Sequence, residues 1–413
     1  MAVLTQQATA LRPPTPARRG GGGALLVLLG ALTAVGPLSM DLYLPAFPQI
    51  ADGFAVPDAE VQLSLTACLI GLALGQLVTG PLSDRWGRRR PVVAGVAAYA
   101  LASLLCAFAP SASALVALRL VQGLAGGVGV VVARAIVRDL YSGGAAARYF
   151  SRLTLVFGLA PIAGPSLGSL LLRFTSWRGV FVALAVIGAV LAAAVAWRLP
   201  ETLPAERRST GGLATTLGAV RRLVADRYFI GYALAQSLAY AGLFAYISGS
   251  SFVFQDVFAL PAGVFSLLFG VNAVGLVAVG QLNARLLDRY PPRTLLRATL
   301  AVGLGAALAL LAGAAIGSLV TVVVALFVFV GTMGMVMPNG VALALDRHSR
   351  HAGTAAAVLG AAQSTVGALA APLVGLAGTG SAVPMALIIT AAAGLSLTTV
   401  AVLTRGARSL GVG

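Results

Sequence analysis

The sequence has few charged residues, two cysteines and two histidines, and each of these shortages excludes a class of protein. Charged residues make up 10% of the chain, against about a quarter in soluble domains, which excludes an ordinary soluble protein. Cys68 and Cys106 lie inside apolar segments, so we expect two small buried side chains and no disulfide or metal framework. His348 and His351 share one loop, and no zinc-binding, Ser/His or P-loop pattern is present. We therefore expect no enzymatic activity, metal or cofactor.

Apolar residues are abundant instead, at 59% of the 413 residues with a mean hydropathy of +0.94. They form segments of about 20 residues, each long enough to cross about 30 Å of hydrocarbon as a helix. This pattern predicts an all-α protein that crosses a membrane twelve times. The predicted spans are 24–48, 61–81, 91–109, 113–136, 150–172, 179–198, 229–250, 264–284, 294–315, 318–341, 354–377 and 383–404.

All 28 basic residues are arginines, and their positions predict the orientation in the membrane. The net charge of +16 alone would suit a nucleic-acid partner, but the arginines cluster in short segments between the spans. With the N-terminus inside, the inner segments hold most of them, whereas the outer segments hold Arg173 and Arg178. This excess predicts cytoplasmic termini and no nucleic-acid partner.

A polar segment at 199–228 divides the predicted spans into two sets of six. We expect six-helix bundles at 24–198 and 229–404, joined by this cytoplasmic linker, whose second half looks amphipathic and suits a membrane surface. Residues 1–23 are read as a disordered cytoplasmic tail rather than a cleaved signal peptide, and residues 405–413 as a C-terminal tail. Two six-helix sets are typical of transporters built from repeats, and "GPLSDRWGRRR" and "GQLNARLLDRY" follow equivalent spans of the two sets.

The segment "GPLSDRWGRRR" at 80–90 is the most specific motif in the chain. Its glycines permit tight turns and Asp84 can accept charge-assisted hydrogen bonds, although composition alone would suit an ordinary basic loop. The ordered pattern resembles the G-x-L-x-D-R-x-G-R-[RK] signature of the major facilitator superfamily. The resemblance implies a cytoplasmic latch between the second and third spans, in which Asp84 bridges the two bundles in the outward-open state. The matching latch residues are Gly80, Asp84, Arg85, Gly87 and Arg88.

Arg119 lies inside the fourth predicted span, in "LRLVQGLAGGVG". A buried guanidinium is costly and should face the protein interior with a partner. The alternative is an arginine that snorkels to the headgroups, and the position of Arg119 near the predicted outer end argues against it. The pattern R-x-x-Q-G at Arg119, Gln122 and Gly123 resembles the second motif of the superfamily, which implies a role for Arg119 in proton transfer.

The fifth predicted span, "FGLAPIAGPSLGSLL", is rich in small residues, as many membrane helices are. Its G-P-x-x-G pattern at Gly164, Pro165 and Gly168 resembles the motif that marks the antiporters of the superfamily. Four further stretches resemble the bicyclomycin/chloramphenicol-resistance (Bcr/CflA-type) branch of the drug:proton antiporters: "MDLYLPAFPQI", "RAIVRDLY", "LFGVNAVGLVAVGQLNARLL" and "MPNGVALAL". The resemblance implies multidrug efflux and antibiotic resistance, with chloramphenicol-like, bicyclomycin-like or related small amphiphilic substrates.

Asp41 is the one acidic residue of the twelve that lies well inside a predicted span. A proton carrier must change protonation as access alternates, and a carboxylate that is desolvated in one state meets this requirement. We therefore predict that Asp41 couples protons to substrate together with Arg119, and that Pro45 and Pro48 loosen the outer end of this span. Whether Asp41 and Arg119 face each other stays open. Candidate cavity residues, for which a helix–helix hydrogen bond is an equally good interpretation, are Tyr43, Gln122, Tyr240, Tyr246, Asn272 and Asn339.

Two other functions stay open at this stage. A proton-coupled symporter that imports a nutrient would have the same fold, although the G-P-x-x-G motif argues against it. A membrane receptor or an intramembrane enzyme is the remaining alternative. We expect a monomeric exporter in a bacterial cell membrane, driven by the proton gradient.

Overall fold

The computed structural model describes residues 22–141, 149, 153, 163–208, 221, 223–346, 352–376, 378 and 380–404, and their regular structure is helical. Eleven helices in these ranges are long and apolar enough to cross a membrane, which confirms the predicted all-α membrane architecture. The predicted span 150–172 lies mostly outside the described residues. The helices are α1 (Gly22–Asp41), α2 (Phe47–Phe54), α3 (Asp58–Trp86), α4 (Arg89–Ala107), α5 (Ala112–Leu140), α6 (163–171), α7 (Trp177–Arg198), α8 (221 and 223–225), α9 (Arg227–Phe252), α10 (Ala262–Leu286), α11 (Pro292–Ala315), α12 (Leu319–Leu345), α13 (Ala352–Leu376) and α14 (Val383–Leu403).

The first helix is shorter than predicted, because α1 ends at Asp41 and not near residue 48. Pro45 has no N–H to donate to the Asp41 carbonyl, and its ring would clash with that carbonyl in a continuous helix. The chain instead forms a 3₁₀ turn at Leu44–Ala46 and then α2, which has Pro48 in its first turn. The proline that follows Asp41 by four residues therefore makes this carboxylate the last residue of a helix.

Two helices are longer than predicted at the end where the arginines cluster. The spans 61–81 and 113–136 become α3 and α5, each of 29 residues. A helix of that length is about 43 Å long, so it extends past about 30 Å of hydrocarbon into the headgroup region, where hydropathy no longer marks it. Most of the latch motif is consequently helical, and Asp139, which lies beyond the predicted span 113–136, is in the last turn of α5.

The helices pack in two groups, the N-terminal group (α1–α7) and the C-terminal group (α9–α14). In the N-terminal group, α3 and α5 approach closely because glycines face backbone: a Cβ on Gly123 would overlap the Cys68 carbonyl, and one on Gly75 the Leu124 carbonyl. Both cysteines are buried and unpaired, as expected. At the end with the arginines, Trp197 is 86% exposed, as expected for an aromatic side chain at the membrane interface.

The two groups contact each other at the end that the arginine distribution predicts to be outer. Within the described ranges, all hydrogen bonds between the groups lie at this end or between it and the middle of the helices. They run from Gln62 to the Ser248 carbonyl (3.4 Å), from Thr66 to the Ala368 carbonyl (3.1 Å), from Ser251 to the Leu44 carbonyl (2.7 Å), from Gln255 to the Pro45 carbonyl (3.3 Å) and from Ser266 to the Pro165 carbonyl (2.8 Å).

Candidate proton and substrate site

Asp41 lies at the end of α1 against the glycine face of α6. Its residue is 5% exposed, and a Cβ added to Gly164 would lie 2.6 Å from the Asp41 Cβ. Among the residues described, none forms a hydrogen bond or an ion pair with its carboxyl group. Burying an unpaired charge is costly, and a protonated carboxyl avoids that cost. The site therefore holds a carboxyl group that has no fixed counter-ion in the described part of the chain.

Arg119 is fully buried in α5, so it faces the protein interior as expected. Its guanidinium donates to the Ser39 carbonyl of α1 at 2.9 Å and to the side-chain oxygen of Gln122. It also lies over aromatic rings, 4.2 Å from the centroid of Tyr43 and 5.7 Å from that of Phe181. Carbonyl oxygens and ring faces thus compensate its charge, and the ring contacts contribute about 1–2 kcal/mol each when desolvated.

Asp41 and Arg119 form no ion pair in this structure, which answers the question that the sequence left open for this conformation. Their connection is the Ser39 carbonyl, two residues before Asp41 on α1. The Nε of Arg119 is buried and has no partner in the described part of the chain. Arg119 therefore positions the backbone of α1, and a direct effect of its charge on Asp41 requires a different conformation.

The three antiporter-motif residues contact the segment that carries Asp41 and the C-terminal group. Gly164 contacts Asp41, and a Cβ on Gly168 would overlap the carbonyl oxygen of Leu42. The Pro165 carbonyl accepts a 2.8 Å hydrogen bond from Ser266 on α10, in the C-terminal group. The two glycines consequently join α6 to the end of α1, and Pro165 joins α6 to the C-terminal group.

Tyr240 stacks on the ring of Phe244 in its own helix, with centroids 5.9 Å apart, and the five other candidate cavity residues form hydrogen bonds within their own helix group. This matches the alternative interpretation that the sequence allowed. The pairs are Tyr43 with Ser64 (3.2 Å), Gln122 with Ser103 (2.7 Å), Asn272 with Tyr246 (2.9 Å) and Asn339 with Asn283 (2.7 Å).

Sequence reasoning missed two glutamines in the C-terminal group, Gln236 on α9 and Gln363 on α13. Both amide nitrogens point to the sulfur of Met337 on α12, at 3.7 Å and 3.5 Å. The sequence does contain a signal for both glutamines, because burying an amide side chain inside an apolar span costs free energy.

The latch motif forms a charge cluster within the N-terminal group. Arg88 donates to Asp84 at 2.5 Å and to Asp139 at 2.9 Å, so it joins the ends of α3 and α5. Gly87 has a φ of +89°, a conformation that suits glycine, and a Cβ there would overlap Glu201. Asp84 is paired with its own group here rather than with the C-terminal group, and its side chain is 51% exposed. Arg85 is exposed, and among the described residues no atom of a neighbouring helix lies within 4 Å of a Cβ added to Gly80.

Glu201, in the segment after α7, caps the N-terminus of α4. Its carboxylate accepts hydrogen bonds from the backbone N–H groups of Arg88 (2.7 Å), Arg89 (3.3 Å) and Leu203 (3.1 Å). Burial acts to raise the pKa of Glu201, but these N–H donors and the charge of Arg208 outweigh it, so the pKa lies below its usual value. The linker is thereby fastened to the latch.

We expect Glu201→Gln to destabilise the protein by about 1 kcal/mol at neutral pH, because a neutral acceptor caps a helix less well than a carboxylate. A carboxylate with a lowered pKa stabilises the fold above its usual value of 4.5, and this contribution is lost as the pH falls through the lowered pKa. Thermal unfolding in detergent should therefore separate wild type and variant near pH 7 and bring them together once the pH lies below the lowered pKa of Glu201. Glu206→Gln, at an exposed position of the same segment, is the control. Equal stability of wild type and Glu201→Gln at neutral pH would contradict the cap.

Comparison with known proteins decides the family. A family model described as Major Facilitator Superfamily matches residues 29–372. The chain belongs to the major facilitator superfamily. It is therefore a multi-pass membrane transporter of small molecules and not an enzyme.

Relatives in this superfamily cover most of the chain. The chain is 40% identical over 369 residues to an uncharacterized MFS-type transporter, YdgK, of Bacillus subtilis (89% of this chain, 92% of the relative). It is 32% identical over 361 residues to a bicyclomycin resistance protein homolog of Haemophilus influenzae (87% and 91%). It is also 32% identical over 289 residues to a chloramphenicol resistance protein of Pseudomonas aeruginosa (66% and 64%). These names confirm the resemblance to the Bcr/CflA-type branch.

A solved structure shows the same fold. A bacterial homolog of the human lysosomal transporter Spinster, in an inward-facing and occupied conformation, superposes with a TM-score of 0.73 at 16% identity, covering 94% of this chain and 98% of the other. This similarity confirms the major facilitator fold predicted from the motifs.

Proposed function

We propose that this transporter exports small amphiphilic drugs from the bacterial cytoplasm in exchange for protons, with Asp41 as the proton carrier. The observation that carries the proposal is the carboxyl group of Asp41, which is buried, has no partner among the residues that the structure describes, and packs against the antiporter motif. The relatives named for bicyclomycin and chloramphenicol resistance support a drug as the substrate.

We further propose that the structure is an inward-facing state of two six-helix bundles with cytoplasmic termini. The hydrogen bonds between the groups lie toward the predicted outer end, and the latch carboxylate Asp84 pairs within its own group. In the opposite state, Asp84 would be free to bridge the groups, as the family resemblance implies. The excess of arginine at the opposite end supports the orientation.

The proposed cycle follows from the position of Asp41. Drug enters between the groups from the cytoplasm and the proton of Asp41 leaves to the same side. The loaded carrier then opens outward and releases the drug, and a proton from the acidic side neutralises Asp41 again. Because Gly164 and Gly168 place no side chain against α1, α6 can slide along the segment that carries Asp41 as the groups rock.

The driving force depends on the charge of the substrate. With Asp41 as the carrier, each cycle moves about one proton, which gains about 1.4 kcal/mol per pH unit. Export of a neutral drug also gains about 2.3 kcal/mol per 100 mV of membrane potential. Exchange of a proton for a monocation moves no net charge, so it gains free energy from the pH gradient alone.

Transport by the purified protein in vesicles tests this proposal. We expect chloramphenicol to accumulate in reconstituted vesicles whose interior is acidified, and to be expelled from them when the gradient is reversed. A proton-coupled importer would show the opposite direction. Absence of any gradient-dependent flux of the drugs of this branch, set against empty vesicles, would overturn the antiport proposal.

A further inference from the structure

We propose that Gln236, Met337 and Gln363 form a neutral subsite of the substrate cavity, which binds the hydroxyl, amide or nitro groups of uncharged drugs. This proposal rests on the proposed export function and specifies which substrates the transporter selects. The three residues, called the amide subsite here, come from α9, α12 and α13 of the C-terminal group.

The amide subsite has polar groups that the protein leaves unsatisfied. Gln236 is 3% exposed, and its side-chain oxygen is buried without a hydrogen-bond partner in the described residues. Among the described residues its amide nitrogen reaches only the Met337 sulfur, at 3.7 Å, and that of Gln363 reaches the same sulfur at 3.5 Å. A thioether is a weak acceptor, whereas each primary amide offers two donors and one strong acceptor. A buried amide in this condition destabilises the free protein unless a ligand completes its hydrogen bonds.

The subsite lies on the face of the C-terminal group that points to the N-terminal group. Tyr240 is one helical turn from Gln236 on α9, and Gly367 is one turn from Gln363 on α13, so each pair shares a helix face. A Cβ on Gly367 would lie 2.8 Å from the Tyr240 ring and 3.7 Å from Leu69 of the N-terminal group. Along the helix axes, the two groups therefore come into contact at the height of Tyr240 and Gly367. The glutamines lie one turn from this level toward the predicted inner end.

Asp41 lies on the other side of the same boundary. The backbone just after Asp41 meets α9, because the Leu44 carbonyl accepts a 2.7 Å hydrogen bond from Ser251. A substrate held between Asp41 and the amide subsite would span the two helix groups. The N-terminal side then supplies the group that exchanges protons, and the C-terminal side supplies hydrogen bonds without charge.

The amide subsite selects substrates by their hydrogen-bonding groups. A site built to hydrogen-bond a substrate discriminates strongly against an analogue without those groups, because its own polar atoms are then left unpaired. The amide subsite should favour chloramphenicol, which carries hydroxyl, amide and nitro groups. It should contribute nothing to tetraphenylphosphonium, a hydrophobic monocation without a hydrogen-bond donor or acceptor.

Binding of these two probes to the purified full-length chain tests the proposal. The variants are Gln236→Met and Gln363→Met, which keep the side-chain volume and remove the amide. We expect each to bind chloramphenicol about tenfold more weakly, and tetraphenylphosphonium as tightly as the wild type. Gln281→Met makes the same change at an exposed position of α10 and should leave both affinities unchanged.

Each other outcome counts against the proposal. Unchanged chloramphenicol binding in both glutamine variants overturns the subsite and leaves the export function intact. Equal losses for both probes assign the glutamines to structure and also overturn it. A wild type that binds only tetraphenylphosphonium overturns the subsite alone, whereas a wild type that binds neither probe overturns the proposed function with it.

Discussion

Asp41→Asn is expected to reduce drug transport driven by a proton gradient to the level of empty vesicles. Asparagine has nearly the same volume as a protonated aspartic acid and suits the same buried position against Gly164. It can neither release nor accept the carrier proton, so the energy of the gradient is no longer coupled to the drug. Exchange of labelled for unlabelled drug across the membrane, which needs no net proton movement, should continue.

The matched control is Asp288→Asn, which removes an exposed carboxylate near the predicted inner end. It should transport as the wild type does. Expression and thermal stability of both variants in detergent separate a loss of coupling from a loss of folding. Gradient-driven accumulation by Asp41→Asn at the wild-type rate would show that another group carries the proton.

Gly168→Ala is expected to abolish most transport and to destabilise the protein by about 1–3 kcal/mol, the usual range for overpacking a filled contact. The added methyl group would overlap the carbonyl oxygen of Leu42, which is backbone and cannot move as a flexible side chain can. The α6 and α1 helices would have to separate just beyond Asp41, at the contact on which the proposed sliding depends. Transport in vesicles and the unfolding temperature in detergent measure the two effects.

Gly305→Ala is the control for this substitution, because no described atom of a neighbouring helix lies within 4 Å of a Cβ at that position of α11. It should change neither transport nor unfolding temperature. Wild-type transport by Gly168→Ala would mean that the α1–α6 contact does not take part in the cycle.

The sequence predicts the architecture well because membrane spanning is a simple constraint. A run of about 20 apolar residues has few other uses, and arginine asymmetry orients it. The helix ends are less predictable, since hydropathy shows which residues lie in the hydrocarbon and not where the helix begins or ends. For this reason α3 and α5 extend past their predicted ends, and Pro45 ends α1 at Asp41 within an apolar run.

The candidate site is predicted only in part. Asp41 and Arg119 stand out as charges in apolar spans, but no spacing in the sequence indicates that they meet through the Ser39 carbonyl rather than directly. The pairing of Gln236 and Gln363 at one sulfur depends on how three helices pack, which a pattern of single helices cannot reveal. Tyr43 and Gln122 look like cavity residues in the sequence, yet they form hydrogen bonds within their own helix group.

Proton release on drug binding tests the central claim most directly. Purified wild-type protein in a weakly buffered detergent solution should release up to about one proton per bound chloramphenicol molecule, because Asp41 must lose its proton as drug enters. Asp41→Asn should bind the drug and release none. Equal proton release by Asp41→Asn and wild type would contradict the assignment of Asp41 as the proton carrier.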